Sequence, residues 1–182
     1  MTNLKQLDEK LTALDIDLKS MVNEIQFKEI GIYTYEDFVS QDLNFNEFNF
    51  KGLYMFEIRN NGNFEDIQDW KIDFITKWND DDFFVKSVPK IIKERIKNLN
   101  KYEEWIPLYI GKSQTVGSRI KEHIYLTFNK TTSALKLNAR HNLKGETFRI
   151  SVAEINVNNY NWIVPVLENE LRKKLNPIVG KQ

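Results

Sequence analysis

Four side chains suited to handling a phosphate group occur close together in the middle of the chain. They are Tyr109, Lys112, Arg119 and His123. The tyrosine ends a short apolar run that is typical of a strand, and Gly111 interrupts that run. The arginine and the histidine are four residues apart, so they share one face of a helix predicted over 113–128. The spacing therefore predicts a tyrosine at a strand end that faces a lysine, an arginine and a histidine.

A carboxylate in an apolar helical stripe is the second chemical feature of the sequence. The stripe runs through Val164, Glu168, Leu171 and Leu175, on a helix predicted over 162–175 that opens near Pro165. A carboxylate in a core stripe is costly unless it is paired or coordinates a metal ion. Glu168 is therefore predicted to bind a metal ion or to pair with a buried arginine such as Arg119. Glu170 points elsewhere.

The types and spacing of these residues resemble the motifs of the GIY-YIG nuclease family. Tyr109-Ile110-Gly111 matches the second half of the family name, and Arg119 and His123 follow at the family's spacing. Glu168, with Leu171 three residues and Pro177 nine residues further on, is similar to the family's closing motif. The strand-like run 52–58, with Tyr54 near its start, fits the first half of the name.

Two positions depart from a simple match to the family. Gly31-Ile32-Tyr33 spells the first tripeptide literally, but we interpret it as a decoy, because Gly31 follows a helical pattern and suits a helix end. Many members keep an asparagine three residues after the closing proline, where this chain has Gly180. Asn176 is a steric substitute to which we assign no role.

The resemblance implies a metal-dependent endonuclease that hydrolyses DNA phosphodiester bonds, of a restriction, phage-defence or mobile-element type. It implies six catalytic residues, which are Tyr54, Tyr109, Lys112, Arg119, His123 and Glu168. Glu168 would hold Mg²⁺ or Mn²⁺, and Arg119 would clamp the phosphate. Either tyrosine would orient water or act as base, with Lys112 as the cation beside Tyr109, and His123 would relay a proton or hold a phosphate. A non-catalytic nucleic-acid-binding module and a helical partner-binding protein remain as alternatives.

Residues 60–105, called the insertion below, separate the two tyrosine strands more widely than is usual in the family. A helix predicted from Pro89 to about residue 101 carries one basic stripe, formed by Lys90, Lys93, Lys97 and Lys101. This stripe is either a solvated face or a surface that contacts the DNA backbone. The run Asp80-Asp81-Asp82 is interpreted as a charged loop, because three consecutive side chains do not converge on one ion.

The expected fold is α+β, a small and mainly antiparallel sheet flanked by helices. Its strands are predicted near 52–58, 106–111 and 147–155, with a small helix at 131–143 that carries a structural or exposed His141. Residues 1–48 are predicted to form an N-terminal helical extension, and residues 49–182 the nuclease-like domain. An amphipathic helix over 3–28 either packs on its own domain or forms a homodimer.

The amino-acid composition of the chain excludes several classes of protein function. The chain has 182 residues, no cysteine, and 26 basic against 26 acidic side chains. The absence of cysteine excludes a thiol nucleophile and cysteine-ligated zinc, and it fits a reducing, cytoplasmic location. The balanced charge lacks the strongly basic signature of a nucleic-acid binder, so any attraction to DNA must be local. No signal peptide or membrane span is predicted.

Overall fold

A four-stranded antiparallel sheet organises the chain. A computed structural model describes residues 2–60, 64, 66–83, 85–100 and 103–180. The strands of the sheet are β1 (Lys28–Thr34), β2 (Gly52–Arg59), β4 (Trp105–Ser113) and β5 (Thr147–Glu154), in the order β1-β5-β2-β4. Two short strands, β3 (Lys90–Ile91) and β6 (Val179–Gly180), pair separately. The predicted α+β class and its three predicted strands are confirmed.

Helices cover both faces of this sheet. They are α1 (Thr2–Ser20), α2 (Tyr35–Ser40), α3 (Ile67–Trp78), α4 (Lys93–Lys97), α5 (Val116–Tyr125) and α6 (Tyr160–Leu175). Side chains alternate along β2, so Tyr54 and Phe56 join the core beneath α5, while Leu53 and Met55 join the core beneath α6. Among the described residues, none of these helices is both long and apolar enough to cross a membrane.

A β-bulge interrupts the pairing of β2 with β4. Phe56 pairs with Tyr109 and Glu57 pairs with Pro107, which leaves Leu108 as an extra residue. Leu108 and Tyr109 consequently both pack toward the α5 side, and Ile110 packs toward α6.

The insertion packs into the core. Trp70, Phe74 and Trp78 on α3 are buried and stack in sequence, with ring centroids 5.2 and 5.4 Å apart. The helix predicted from Pro89 to about residue 101 is wrong, because only α4 is helical in the described part of that stretch. Ile91 instead pairs with Val179, so tertiary pairing overrides the helical pattern. Lys101 lies outside the described residues.

The N-terminal segment also differs from the prediction. α1 ends at Ser20, and residues 28–34 form β1, so the expected helix over 3–28 and the helical interpretation of Gly31-Ile32-Tyr33 are both wrong. Pairing with β5 accounts for the strand. β1 lies at the edge of the sheet, where its residues are either exposed or half-buried. The capping box between Thr34 and Asp37 is present at the start of α2.

Two further helical predictions are corrected. Residues 131–143 contain only short 3₁₀ turns at Leu137–Ala139 and His141–Leu143, because Lys136 adopts a left-handed conformation with φ of 58°. The last helix begins at Tyr160, so Pro165 lies inside it rather than at its start.

We expect Gly111→Ala to destabilise the protein by about 1–3 kcal/mol, the usual cost of overpacking a core. A Cβ at position 111 would overlap the hydroxyl end of the buried Tyr54 ring and lie 2.9 Å from the Tyr109 ring. Chemical denaturation measures the change. Gly180→Ala is the matched control, because its Cβ would meet only Ile92 at 3.4 Å. Equal stability of the two variants would contradict this packing.

Candidate active site

A cavity of about 570 Å³ opens at the outer edge of β4. Its described lining residues are Tyr54, Lys86, Val88, Pro89, Lys90, Tyr109, Lys112, Arg119, Ser133, Glu168, Arg172 and Gly180. Tyr54, Tyr109 and Arg119 come from the α5 side of the sheet. Glu168 and Arg172 come from α6 on the other side. The cavity therefore brings together groups from both faces around the strand edge.

Tyr54 forms the floor of this cavity, and its ring lies across the backbone of Gly111. The hydroxyl oxygen is 2.9 Å from Nε2 of His123, and Nδ1 of His123 accepts a hydrogen bond from the Leu135 backbone N–H at 3.1 Å. A nitrogen that accepts cannot also carry the proton, so the proton resides on Nε2. His123 therefore donates to Tyr54, and the tyrosine proton is free to point into the cavity.

Burial keeps both members of this pair uncharged. It raises the pKa of Tyr54 well above its usual 10, and Tyr109 adds to the increase, while the Arg119 guanidinium opposes it. Burial also lowers the pKa of His123 well below 6.5, assisted by the positive charge of Arg119. His123 is fully buried and both its nitrogens are engaged, so it has no atom with which to contact a phosphate.

Arg119 approaches Tyr54 from α5. Burial disfavours the charged guanidinium, but the interactions with Tyr54 and Glu122 outweigh this effect and raise the pKa of Arg119. Its guanidinium also donates to the Glu122 carboxylate and to the backbone oxygen of Ser133. The side chain is about one-fifth exposed, so part of the guanidinium remains accessible from the cavity. Tyr109 completes this side, its ring stacked on that of Tyr54 at 6.2 Å.

Glu168 lies on the opposite side of the cavity, held between two cations. Its Oε2 is 2.5 Å from Lys112 Nζ and its Oε1 is 2.8 Å from Arg172. The prediction of a costly carboxylate in a buried stripe is confirmed, since Glu168 is only 5% exposed. Its arginine partner is Arg172 and not Arg119. Lys112 faces Glu168 rather than Tyr109, because residues 109 and 112 project to opposite faces of β4.

Sequence reasoning missed three polar residues of this site. Arg172 was detectable, because a basic residue four positions after a glutamate on one helix is a standard ion-pair spacing. Lys86 and Ser133 carried no such signal, because only the tertiary placement of the insertion and of the 131–136 loop brings them to the cavity.

Among the described residues, no cluster of three or more histidine, aspartate or glutamate side chains converges on one point. Glu168 is the sole carboxylate among the described cavity residues. Mg²⁺ commonly uses one or two protein carboxylates, keeps several waters and accepts phosphate oxygens. Glu168 is the described cavity residue whose oxygens could hold such an ion, which would then compete with Lys112 and Arg172 for the carboxylate.

A second cavity, of about 850 Å³, lies between α3 and the β3–α4 segment and is called the lysine groove below. Its basic lining residues are Lys71, Lys90, Lys93 and Lys97. Lys90 also lines the first cavity, so the two are neighbours. The helix predicted from Pro89 to about residue 101 is wrong, but three of the four lysines predicted to share its face, Lys90, Lys93 and Lys97, do line one groove.

Other singled-out residues lie away from the cavity. Tyr33 packs on Phe38 and Phe45, with ring centroids 6.0 and 5.9 Å away, and His141 is an exposed neighbour of Phe83. Glu170 pairs with Lys173, as expected for a residue off the Glu168 stripe. Asn176 caps α6 in a left-handed conformation, whereas Gly180 lines the cavity.

Comparisons of the chain with known protein families, with curated proteins and with solved structures find no match. The resemblance to the GIY-YIG family therefore rests on the sequence register alone.

We expect the neutral His123 to make the protein less stable as the pH falls. Its folded pKa is below that of an unfolded histidine, so only the unfolded state gains a proton just below pH 6.5. Stability should fall by up to about 1.4 kcal/mol per pH unit from this residue. Urea titrations between pH 7 and 5 should show a flatter dependence for His123→Gln. A proton on Nδ1 at neutral pH in ¹⁵N NMR spectra would contradict the assigned tautomer.

Proposed function

We propose that this chain is a metal-dependent endonuclease of GIY-YIG type that hydrolyses DNA phosphodiester bonds. The observation that carries the proposal is the composition of the β4-edge cavity. A buried tyrosine, an arginine and a carboxylate meet there in one space open to substrate. A cytoplasmic role in restriction, phage defence or a mobile element belongs to the same proposal, on the basis of the resemblance and the absence of cysteine.

Local charge supports a polyanionic substrate. Five basic side chains line the cavity, namely Lys86, Lys90, Lys112, Arg119 and Arg172, against the single carboxylate of Glu168 among the described lining residues. The chain as a whole is neutral, with 26 basic and 26 acidic side chains. Clefts lined by one sign of charge concentrate ligands of the opposite sign. A phosphodiester is such a ligand, and its negative charge grows during hydrolysis.

Arg119 is the proposed phosphate clamp. Its planar guanidinium can bind two phosphate oxygens at once, which a lysine ammonium cannot do. The Glu122 carboxylate and the Ser133 carbonyl hold the guanidinium beside Tyr54 before substrate arrives. This preorganisation lowers the entropic cost of orienting the arginine in the reaction.

Tyr54 is the proposed positioning group for the attacking water. Because its pKa is raised well above 10, it keeps its proton at neutral pH and is a poor base in this environment. The hydrogen bond from His123 fixes the hydroxyl oxygen, so the hydroxyl proton can point to a water or a phosphate oxygen in the cavity. His123 acts through Tyr54 as a positioning residue. Tyr109 forms the adjoining wall.

Glu168 is the proposed ligand for Mg²⁺ or Mn²⁺. When bound there, the ion supplies Lewis-acid stabilisation of the phosphate and a water of lowered pKa. Lys112, released from Glu168, then has a phosphate oxygen as its alternative partner. Arg172 keeps the carboxylate oriented from the same helix, four residues away.

We expect Glu168→Gln to reduce metal-dependent nicking of supercoiled plasmid by about two to three orders of magnitude, the worth of the Lewis-acid contribution. The variant keeps the side-chain shape but removes the negative charge that would attract the ion. Glu170→Gln on the same helix is the matched control and should retain wild-type activity, since Glu170 pairs with Lys173 and does not line the cavity.

The nicking assay, together with a DNA-binding measurement by fluorescence anisotropy, separates the alternatives. Nicking by the wild type with Mg²⁺ or Mn²⁺, lost in Glu168→Gln alone, supports the endonuclease. DNA binding without nicking would favour a non-catalytic module. A chain that neither binds nor nicks DNA would favour a partner-binding protein. Loss of activity in Glu170→Gln with retention in Glu168→Gln would exclude Glu168 as the metal ligand.

We expect the lysine groove to guide the DNA backbone toward the cavity. Lys93→Gln combined with Lys97→Gln should weaken binding to all sequences alike and reduce the slope of log affinity against log salt concentration by about two units. Lys173→Gln with Lys174→Gln is the control pair, because these exposed lysines line neither cavity. Fluorescence anisotropy at several salt concentrations measures both slopes. An unchanged slope in the groove variant would show that the groove is only a solvated surface.

A further inference from the structure

The first part of α1 is open to solvent, and we call residues 3–14 the arm. Every residue of the arm is exposed. The arm nevertheless carries four leucines on one side, Leu4, Leu7, Leu11 and Leu14, which are 73, 52, 49 and 62% exposed. Beyond the arm, α1 packs on the rest of the chain, where Leu18 lies against the core beneath α6.

An arm of this length gains little stability by itself. α1 has 19 residues, but most helical stability in proteins comes from the packing of an apolar face, and the leucine face of the arm is exposed. A row of four half-exposed leucines is also larger than the scattered apolar side chains of an ordinary surface. The arm therefore requires a partner for its leucine face.

The spacing of the leucines identifies the kind of partner. Within the arm, Leu4 and Leu11 fall at the a positions of a heptad repeat, and Leu7 and Leu14 fall at its d positions. Leu18, at the next a position, packs on the core beneath α6, so the free seam ends before it. Apolar residues at a and d form the seam of a coiled coil, in which each helix packs against another with the same repeat. A second copy of this chain supplies that repeat.

The charges beside the seam favour a parallel arrangement. In this frame Lys10 is at a g position and Asp15 is at the e position of the following heptad. Parallel helices bring g of one chain to the following e of the other, so Lys10 of each copy meets Asp15 of its neighbour. An antiparallel pair would bring e to e and g to g, which sets Asp8 against Asp15 as well as Lys10 against Asp17. The parallel arrangement sets no like charges against each other at these positions. We propose that the arms of two copies form a parallel two-stranded coiled coil and make the protein a homodimer.

Sedimentation equilibrium of the full chain tests this proposal. The wild type should approach twice the 21.6 kDa of one chain as concentration rises. Leu7→Glu combined with Leu11→Glu should remain at the monomer mass at all concentrations. Ile16→Glu should dimerise as the wild type does, because Ile16 is 62% exposed but lies at an f position, opposite the seam. A monomeric wild type, or a dimer that survives the double substitution, would overturn the proposal.

A charge exchange tests the parallel direction without changing the apolar seam. Lys10→Glu and Asp15→Lys should each raise the dissociation constant by about tenfold, since two attractive contacts become repulsive in each homodimer. Mixing the two variants should restore wild-type affinity, because the introduced glutamate of one copy then meets the introduced lysine of the other. Failure of the mixture to associate more tightly than either variant alone would exclude the parallel register.

Discussion

A buried phenol hydroxyl needs a hydrogen-bond partner inside the protein, and Tyr54 finds its partner in His123. His123 in turn depends on the Leu135 N–H, and therefore on the path of the 131–136 loop. The insertion holds that loop in place, since the Ser87 carbonyl accepts from Ala134 at 3.1 Å and the Ser87 hydroxyl accepts from Lys136 at 2.6 Å. The insertion thus supports the centre of the cavity through a continuous series of hydrogen bonds.

The cavity also shows how a neutral chain can present a strongly positive site. Glu168 lies deep between Lys112 and Arg172, so its charge is satisfied locally. Among the other lining cations, Arg119 pairs with Glu122, a carboxylate that is not itself a lining residue. Electrostatic attraction at short range depends on this arrangement rather than on the total charge of the chain, because ionic screening limits the reach of each charge to about 10 Å.

Local patterns in the sequence sufficed for the elements that carry the site. The alternation in β2, the spacing of Arg119 and His123, and the carboxylate in the α6 stripe are all properties of neighbouring residues. The features that escaped prediction depend on distant parts of the chain. β1 is a strand because β5 offers it an edge, β3 is a strand because β6 does, and the left-handed Lys136 is stabilised by partners at Lys130 and Ser87.

The bulge at Leu108 determines which side of the sheet each group of the cavity occupies. In an unbroken strand, Ile106, Leu108, Ile110 and Lys112 would share one face, and Tyr109 and Gly111 would share the other. The extra residue reverses this parity from Tyr109 onward, so Ile110 packs beneath α6 although Ile106 and Leu108 pack beneath α5. Tyr109 can then lie against Tyr54, and Lys112 against Glu168. Deletion of Leu108 would leave both paired segments of β4 in their present register, so it would remove the bulge and one core side chain while Tyr109 and Lys112 kept their faces.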